Sequence, residues 1–246
     1  MPKFRFDNYH SYRLIPSLRG RHQFGGPPMH EGTIPQGTNV PLQLVLSIDL
    51  TDPNCPIQDK TGITSLPLYF PFKYGMGGPQ IQYAVRSNSE IKILHLSKAE
   101  PDAADVQYLQ VTELPRLSLE LVPLTYEQAR ILAFLSCDGF FPALLSIQGH
   151  FEPNQEDRQI ISQLELKNLI RIGNQCAPIP NVGDIFCRNP KCEFYDRRVH
   201  WRPIATVPPI PVDGSDDFWC EFRGYVLFCF GLCYYCGTIV AFNVAG

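Results

Sequence analysis

The sequence predicts an α+β protein made mainly of antiparallel sheets, with two related sheet halves, a helical middle and a zinc-ribbon-like knuckle near the C-terminus. Three observations point there. First, 23 prolines and 18 glycines in 246 residues disfavour long helices and suit short strands joined by turns. Second, apolar, β-branched and aromatic runs of strand length lie toward both ends, while the capped, helix-periodic stretches fall in the centre. Third, four of the nine cysteines stand in two close pairs at metal-ligand spacing.

The first 22 residues carry Lys3, Arg5, Arg13, Arg19 and Arg21 against Asp7, with Phe4, Phe6, Tyr9 and Tyr12 between them. No apolar stretch follows that would serve a secretory signal, so this segment reads as an arm packed on the domain. Residues 22–39 read as a loop, because Gly25-Gly26-Pro27-Pro28 permits tight turns and withholds backbone donors from a ladder. Residues 41–50, 66–74 and 80–86 then read as strands, the last two forming a hairpin across the glycine-rich turn at 75–78. Residues 91–96 and 117–122 have the same character.

The centre changes period. Thr125 followed three residues later by Gln128 is a capping-box pattern ahead of a helix over 126–136, which should end near Asp138-Gly139. Asn154 opens a second helical stretch reaching 172, with Ile160, Ile161, Leu164, Leu166 and Leu169 as its apolar positions. From Gly173 the strand-rich composition returns, with strands expected at 225–230 and 238–242. Phe24-Gly25-Gly26-Pro27 is echoed by Ile172-Gly173-Asn174, and Tyr69-Phe70-Pro71-Phe72 by Leu227-Phe228-Cys229-Phe230. The chain therefore reads as one domain over 1–246, with a first sheet half at 24–122, a helical middle at 123–172 and a second half at 173–246.

Cys187 and Cys192 enclose four residues, and Cys233 and Cys236 enclose two, followed by Gly237. Zinc takes four thiolates in a tetrahedron, and two turns that each aim a pair of sulfurs inward supply them. Asn189-Pro190 forms the first turn, while Gly237 lets the chain leave the second with its N–H groups near the sulfurs. A redox CxxC would need a helix after its first cysteine, and nothing helical follows Cys236. Four sulfurs close the coordination shell, so the expected Zn2+ is structural. His200 is a nearby side chain that could displace one ligand, and Cys229 lies close enough to be a spare one.

Residues 224–246 contain no charge and are long enough to span a bilayer core. Gly231, Gly237, Asn243 and the cysteine pair instead suggest two buried strands and a turn. With no secretory signal, nine cysteines read as reduced thiols in a cytoplasmic protein.

No acid–base or nucleophile constellation stands out. Cys137 would need a histidine base, and the histidines at 10, 22, 30, 95, 150 and 200 are scattered. Gly25-Gly26 lacks the lysine and hydroxyl residue of a phosphate cradle. Arg188, Lys191, Arg197, Arg198 and Arg202 gather near Tyr195 and Trp201, but residues 171–246 carry seven bases and seven acids, which weakens a nucleic-acid role.

The Phe24-Gly25-Gly26-Pro27 loop, Pro41-Leu42-Gln43-Leu44 running into Ser47-Ile48-Asp49-Leu50, and Leu68-Tyr69-Phe70 resemble the YwqG-like family of uncharacterised bacterial proteins. Ile172-Gly173 and Gly224-Tyr225-Val226-Leu227-Phe228 match as well, and the cysteine-bearing end resembles a zinc-ribbon-bearing subset of that family. The sequence departs from the pattern at Asn174, where the family tends to a second glycine. The resemblance implies an α+β fold of related antiparallel halves and supplies no catalytic residues. Some relatives occur beside toxin genes, which implies an immunity or partner-binding role.

The functional expectation is a zinc-stabilised protein that binds a protein partner and has no catalysis of its own. The alternative is a hydrolase or transferase with a cleft between the sheet halves, using His22, His30 or Glu31; a nucleic-acid binder using the arginines near Trp201 ranks third.

Overall fold

The structure, a computed structural model, describes residues 4–6, 11–59, 62–74, 80–97, 113–138, 153–164, 169–173, 185–199, 201–208 and 226–245. Its strands are β1 (Phe4–Phe6), β2 (Ser11–Pro16), β3 (His22–Phe24), β4 (Gln43–Asp49), β5 (Ile57–Asp59), β6 (Ser65–Phe70), β7 (Ile81–Val85), β8 (Ile91–Leu96), β9 (Leu117–Pro123), β10 (Ile170–Gly173), β11 (Trp201–Val207), β12 (Val226–Cys233) and β13 (Ile239–Ala245). Among the described residues two helices, α1 (Tyr126–Asp138) and α2 (Gln155–Gln163), lie between β9 and β10.

Eleven strands form one sheet in the order β6-β4-β3-β9-β2-β10-β11-β12-β13-β7-β8, and β1 pairs with β5 in a separate ribbon. Every neighbouring pair is antiparallel. From the β9–β2 pair, β3, β4 and β6 continue outward on one side, and β10, β11, β12, β13, β7 and β8 on the other. The sheet curls into a half-barrel. Tyr83 on β7 reaches the opposite edge strand, accepting from the Tyr69 N–H at 2.9 Å and donating to the Pro67 carbonyl at 2.9 Å.

The main core fills the inside of this curl. Leu44, Leu46 and Ile48 of β4, Leu66, Leu68 and Phe70 of β6, and Phe228, Phe230 and Leu232 of β12 are all buried in it. Phe70, Phe72 and Phe228 meet with centroids 4.6–5.0 Å apart, so the two aromatic segments that echo each other in sequence are in contact. The alternate residues of the β12–β13 hairpin face the other way. Leu227, Cys229, Cys233, Val240 and Phe242 belong to a second buried cluster that also holds Cys187, Cys192, Trp201 and Cys236. A hairpin covered on both faces has no place for a charge, which accounts for the charge-free C-terminal sequence. Among the described residues no helix is long and apolar enough to cross a membrane.

Gly25 and Gly26 have a structural task. Both have positive φ, 63° and 90°, and a Cβ at Gly25 would overlap the Pro115 carbonyl oxygen. Their N–H groups donate to the carbonyls of Val45 at 3.0 Å and Leu114 at 2.8 Å, stitching the end of β3 to two neighbouring segments. Gly173, closing β10, also has positive φ, 106°.

The α+β expectation with a helical middle is corrected: the described molecule is nearly all-β. Both helix starts form as expected. Thr125 and Gln128 exchange bonds of 3.2 and 3.0 Å, and Asn154 and Asp157 do the same at 2.8 and 3.1 Å. The second helix stops at Gln163, however, and residues 170–172, expected to be helical, belong to strand β10. A cap dictates only the first turn; farther along, pairing of β10 with β2 and β11 outweighs helical periodicity. Leu132, Leu164 and Leu169 form a small cluster of their own.

Other expectations shift for the same reason. The N-terminal arm contributes β2 to the middle of the sheet, and the expected loop begins with β3. The strands β6 and β7 do not form a hairpin with each other: β6 pairs with β4, and β7 with β13 and β8. Residues 72–74 form a 3-10 turn rather than the end of a strand. The turn at 75–78 and Gly139 lie outside the described residues.

Candidate metal centre

The register of β11, β12 and β13 places the two cysteine pairs together. The β12–β13 ladder runs to Leu232 opposite Ile239, so that Cys233 ends β12 and Tyr234 through Thr238 form the connecting turn. Across that turn the Cys233 N–H donates to the Thr238 carbonyl at 2.8 Å, the Gly237 N–H donates to the Cys233 carbonyl at 3.0 Å, and Gly237 takes φ 71°. The first pair is held similarly. The Cys192 N–H donates to the Asn189 carbonyl at 2.9 Å, and the Asp196 N–H to the Cys187 carbonyl at 2.8 Å. Asp196 adopts φ 53°, a left-handed geometry that aspartate tolerates better than most side chains. It also pairs with Arg188.

All four sulfurs, of Cys187, Cys192, Cys233 and Cys236, are buried and lie within 4.8 Å of one another. Cys187 and Cys236 are 3.6 Å apart, and Cys192 and Cys233 are 4.0 Å apart. A tetrahedron with metal–sulfur bonds of about 2.3 Å has edges near 3.8 Å, so these spacings suit a single ion. They are far beyond the roughly 2.05 Å of a disulfide, and all four cysteines are free. This cluster could hold a metal ion.

Electrostatics favour a cation. The hydrogen bonds of Cys187 and Cys233 hold the Cys236 thiol down, with Thr238 assisting against burial. The other three rise. Cys187 is raised by its contacts with Cys233 and Cys236 and by burial, and Cys192 mainly by burial. Cys233 is drawn down by Cys187, but Cys236 and burial push it up to about 12. One charge therefore resists a second. A divalent ion reverses that balance and lets every thiol ionise.

The residues around the sulfurs fix them in place. Asn189, fully buried, donates through Nδ2 to the Thr238 hydroxyl at 2.8 Å and to the Cys236 sulfur at 3.6 Å. Thr238 Oγ1 lies 3.1 Å from the same sulfur. Gln82 on β7 donates to the Phe186 carbonyl and accepts from the Arg188 N–H, each at 2.8 Å, so it brackets Cys187. Trp201 Nε1 donates to the Ile185 carbonyl at 2.9 Å. Asn189 was visible in sequence only as a turn residue. Gln82, Thr238 and Trp201 left no motif, because each acts across the fold.

Cys229 shares the buried cluster around the centre but is not among the four closely grouped sulfurs. Cys55 is a core thiol pushed up to about 12 by burial. Cys176, Cys220, His10, His150 and His200 lie outside the described residues, as does the side chain of Cys137.

The histidines of the alternative cleft each have a different partner. His22 Nδ1 accepts from the Asp49 N–H at 3.1 Å, and Nε2 lies 3.1 Å from Asp52. His30 Nδ1 lies 2.9 Å from the Tyr69 hydroxyl, and its Nε2 is buried without a partner among the described residues. Glu31 is exposed and forms a backbone bridge with Glu90. A shallow polar depression of about 270 Å³ is lined by Arg21, Ser47, Asp49, Thr51, Thr64 and Ser65, and neither His22 nor His30 lines it. The Arg21–Asp49 pair, at 2.8 Å, occupies its charged groups with each other.

No family model, curated protein or solved structure matches this chain.

Proposed function

We propose that this chain is a zinc-stabilised, cytoplasmic binding protein without catalysis of its own, whose partner is another protein, as a toxin-immunity role would require. The observation that carries the metal part is the closed set of four buried sulfurs at tetrahedral-edge spacing. Four thiolates leave no position for a water or substrate, and an all-sulfur shell is characteristic of structural zinc. A reducing compartment belongs to the proposal, since thiolates persist as ligands only where they are kept reduced. The YwqG-like resemblance is kept as part of the proposal.

Elemental analysis of protein purified without added metal tests the site. About one equivalent of zinc is expected, and the Cys233→Ser, Cys236→Ser double variant should lose it together with much of its thermal stability. Zinc-free native protein, or a double variant that melts like the parent, overturns the metal reading. For the partner, a near one-to-one complex that can be rebuilt from purified components is expected; failure to recover any specific partner overturns that part.

A further inference from the structure

Two sulfur contacts at the candidate metal centre run between its cysteine loops. Cys187 of the first loop lies 3.6 Å from Cys236 of the second, and Cys192 of the first lies 4.0 Å from Cys233 of the second. These contacts join positions 49 and 41 residues apart. Each pairs a cysteine at the rim with one sealed from solvent: Cys236 and Cys192 keep 9% and 6% of their surface open, while Cys187 and Cys233 keep none. A small reagent entering beside the exposed Tyr234 and Tyr235 therefore reaches one member of a pair whose other member is already in contact with it.

Protein groups hold the two loops face to face as well. Asn189 of the first loop donates to the Thr238 hydroxyl at 2.8 Å and to the Cys236 sulfur at 3.6 Å. The Phe194 ring lies 4.0 Å, centroid to centroid, from the ring of Tyr235, with the two planes inclined by 34°. Gln82, from β7, fixes the peptide groups on both sides of Cys187. None of these contacts passes through a metal, so the loops stay apposed when the sulfurs change partners. A bond between Cys233 and Cys236, the neighbours in sequence, would break both contacts between the loops.

We propose that the centre is a reversible redox switch, in which a peroxide converts the four thiolates into two disulfides between the loops, Cys187–Cys236 and Cys192–Cys233, with loss of the metal. This regulation rests on the zinc reading of the same four sulfurs. The Cys236 thiolate attacks the peroxide: an S–O bond forms, the O–O bond breaks, and hydroxide leaves, or an alkoxide from an organic peroxide. The Cys187 thiolate then attacks the Cys236 sulfur, the S–S bond forms, and a second hydroxide leaves. Two electrons pass from the sulfur pair to one peroxide. Cys192 and Cys233 consume a second peroxide in the same way. After the first disulfide two thiolates remain, fewer than the four that close a structural zinc shell, so the ion departs with its charge unchanged. The cross-links span long stretches of chain and restrain the unfolded state, so the fold survives the loss of metal. A thiol reductant reverses the exchange by attack on each disulfide.

The test treats reduced, zinc-loaded protein with hydrogen peroxide and follows zinc release with a colorimetric chelator against an untreated control. The remaining thiols are then blocked, and the disulfides are mapped by mass spectrometry of unreduced peptides. Zinc should be lost in step with the appearance of Cys187–Cys236 or Cys192–Cys233 cross-links, the circular dichroism spectrum should stay native, and reduction should restore uptake of about one equivalent of zinc. Cys236→His keeps four ligands, since zinc accepts three cysteines and a histidine; it should lose the Cys187 cross-link and retain the one between Cys192 and Cys233. Should that variant fail to hold zinc, the parental disulfide map decides. A Cys233–Cys236 or Cys187–Cys192 bond, a bond to a cysteine outside the four, accumulation of sulfinic acid, or unfolding on oxidation overturns the switch. Zinc-loaded protein that keeps its metal under peroxide also overturns it and leaves the zinc site standing. Reduced protein that carries no metal overturns both the switch and the zinc reading.

Discussion

Gln82 and Arg188 are joined across 106 residues of chain: the Gln82 Oε1 accepts from the Arg188 N–H at 2.8 Å. The same amide donates to the Phe186 carbonyl at 2.8 Å, so one side chain on β7 holds both peptide groups flanking Cys187. The fourth strand of the metal-bearing face thus sets the position of the first candidate ligand.

Replacing Gln82 by Ala removes both bonds and leaves a buried donor and acceptor unpaired, at a cost of about 1–3 kcal/mol for each group. Gln82→Glu keeps the acceptor and loses the donor, so it should be intermediate or worse if the carboxylate is buried charged. Urea unfolding in excess zinc measures the cost. A Gln82→Ala protein as stable as the parent would show that the bracket is incidental.

Asn189 and Thr238 touch the Cys236 sulfur without belonging to the four ligands. Their contacts orient Cys236 and stabilise its thiolate, so Asn189→Ala or Thr238→Val should keep one equivalent of zinc but release it more readily. The expected loss is about ten- to a hundredfold in affinity. Competition against a colorimetric zinc chelator reads this directly, and release at the parental midpoint would refute it.

His22 supplies a pH dependence. Burial lowers its pKa from the usual value near 6.5, and the hydrogen bond and charge of Asp52 only partly oppose this. The folded-state pKa therefore lies below the unfolded one, and between them the unfolded chain holds more protons. This contribution is fully present above about pH 6.5 and is lost as the pH falls toward the folded value. Unfolding in excess zinc should show stability declining below about pH 6.5. His22→Gln should shrink the decline without abolishing it, because burial shifts His30 and His95 the same way. A parent that gains stability on acidification would contradict the assignment.

The parts of the molecule legible in sequence are those specified by neighbours in the chain. The helix starts at Thr125 and Asn154 need only a cap and a residue three places on. The strands at 43–49, 91–96 and 117–123 follow their apolar or alternating patterns. Trp201, Ile204, Thr206 and Val207 suit the strand at 201–207 while Pro203 argues against one, and the register shift between Pro203 and Ala205 admits it. Nothing near Ser11 says that β2 will lie between β9 and β10.

By itself, the sequence determined the four ligand candidates and the two turns that carry them, because CRNPKC and CYYCG concentrate the necessary donors within a few residues. The tertiary structure decided the rest. It merged two expected sheet halves into one curled, eleven-stranded sheet, cut the second helix short to make β10, and brought Gln82, Asn189 and Thr238 around Cys187 and Cys236. The reason is physical: a cysteine pair is shaped by its local turn, whereas strand partners and the bonds around the sulfurs are chosen by burial between segments distant in the chain.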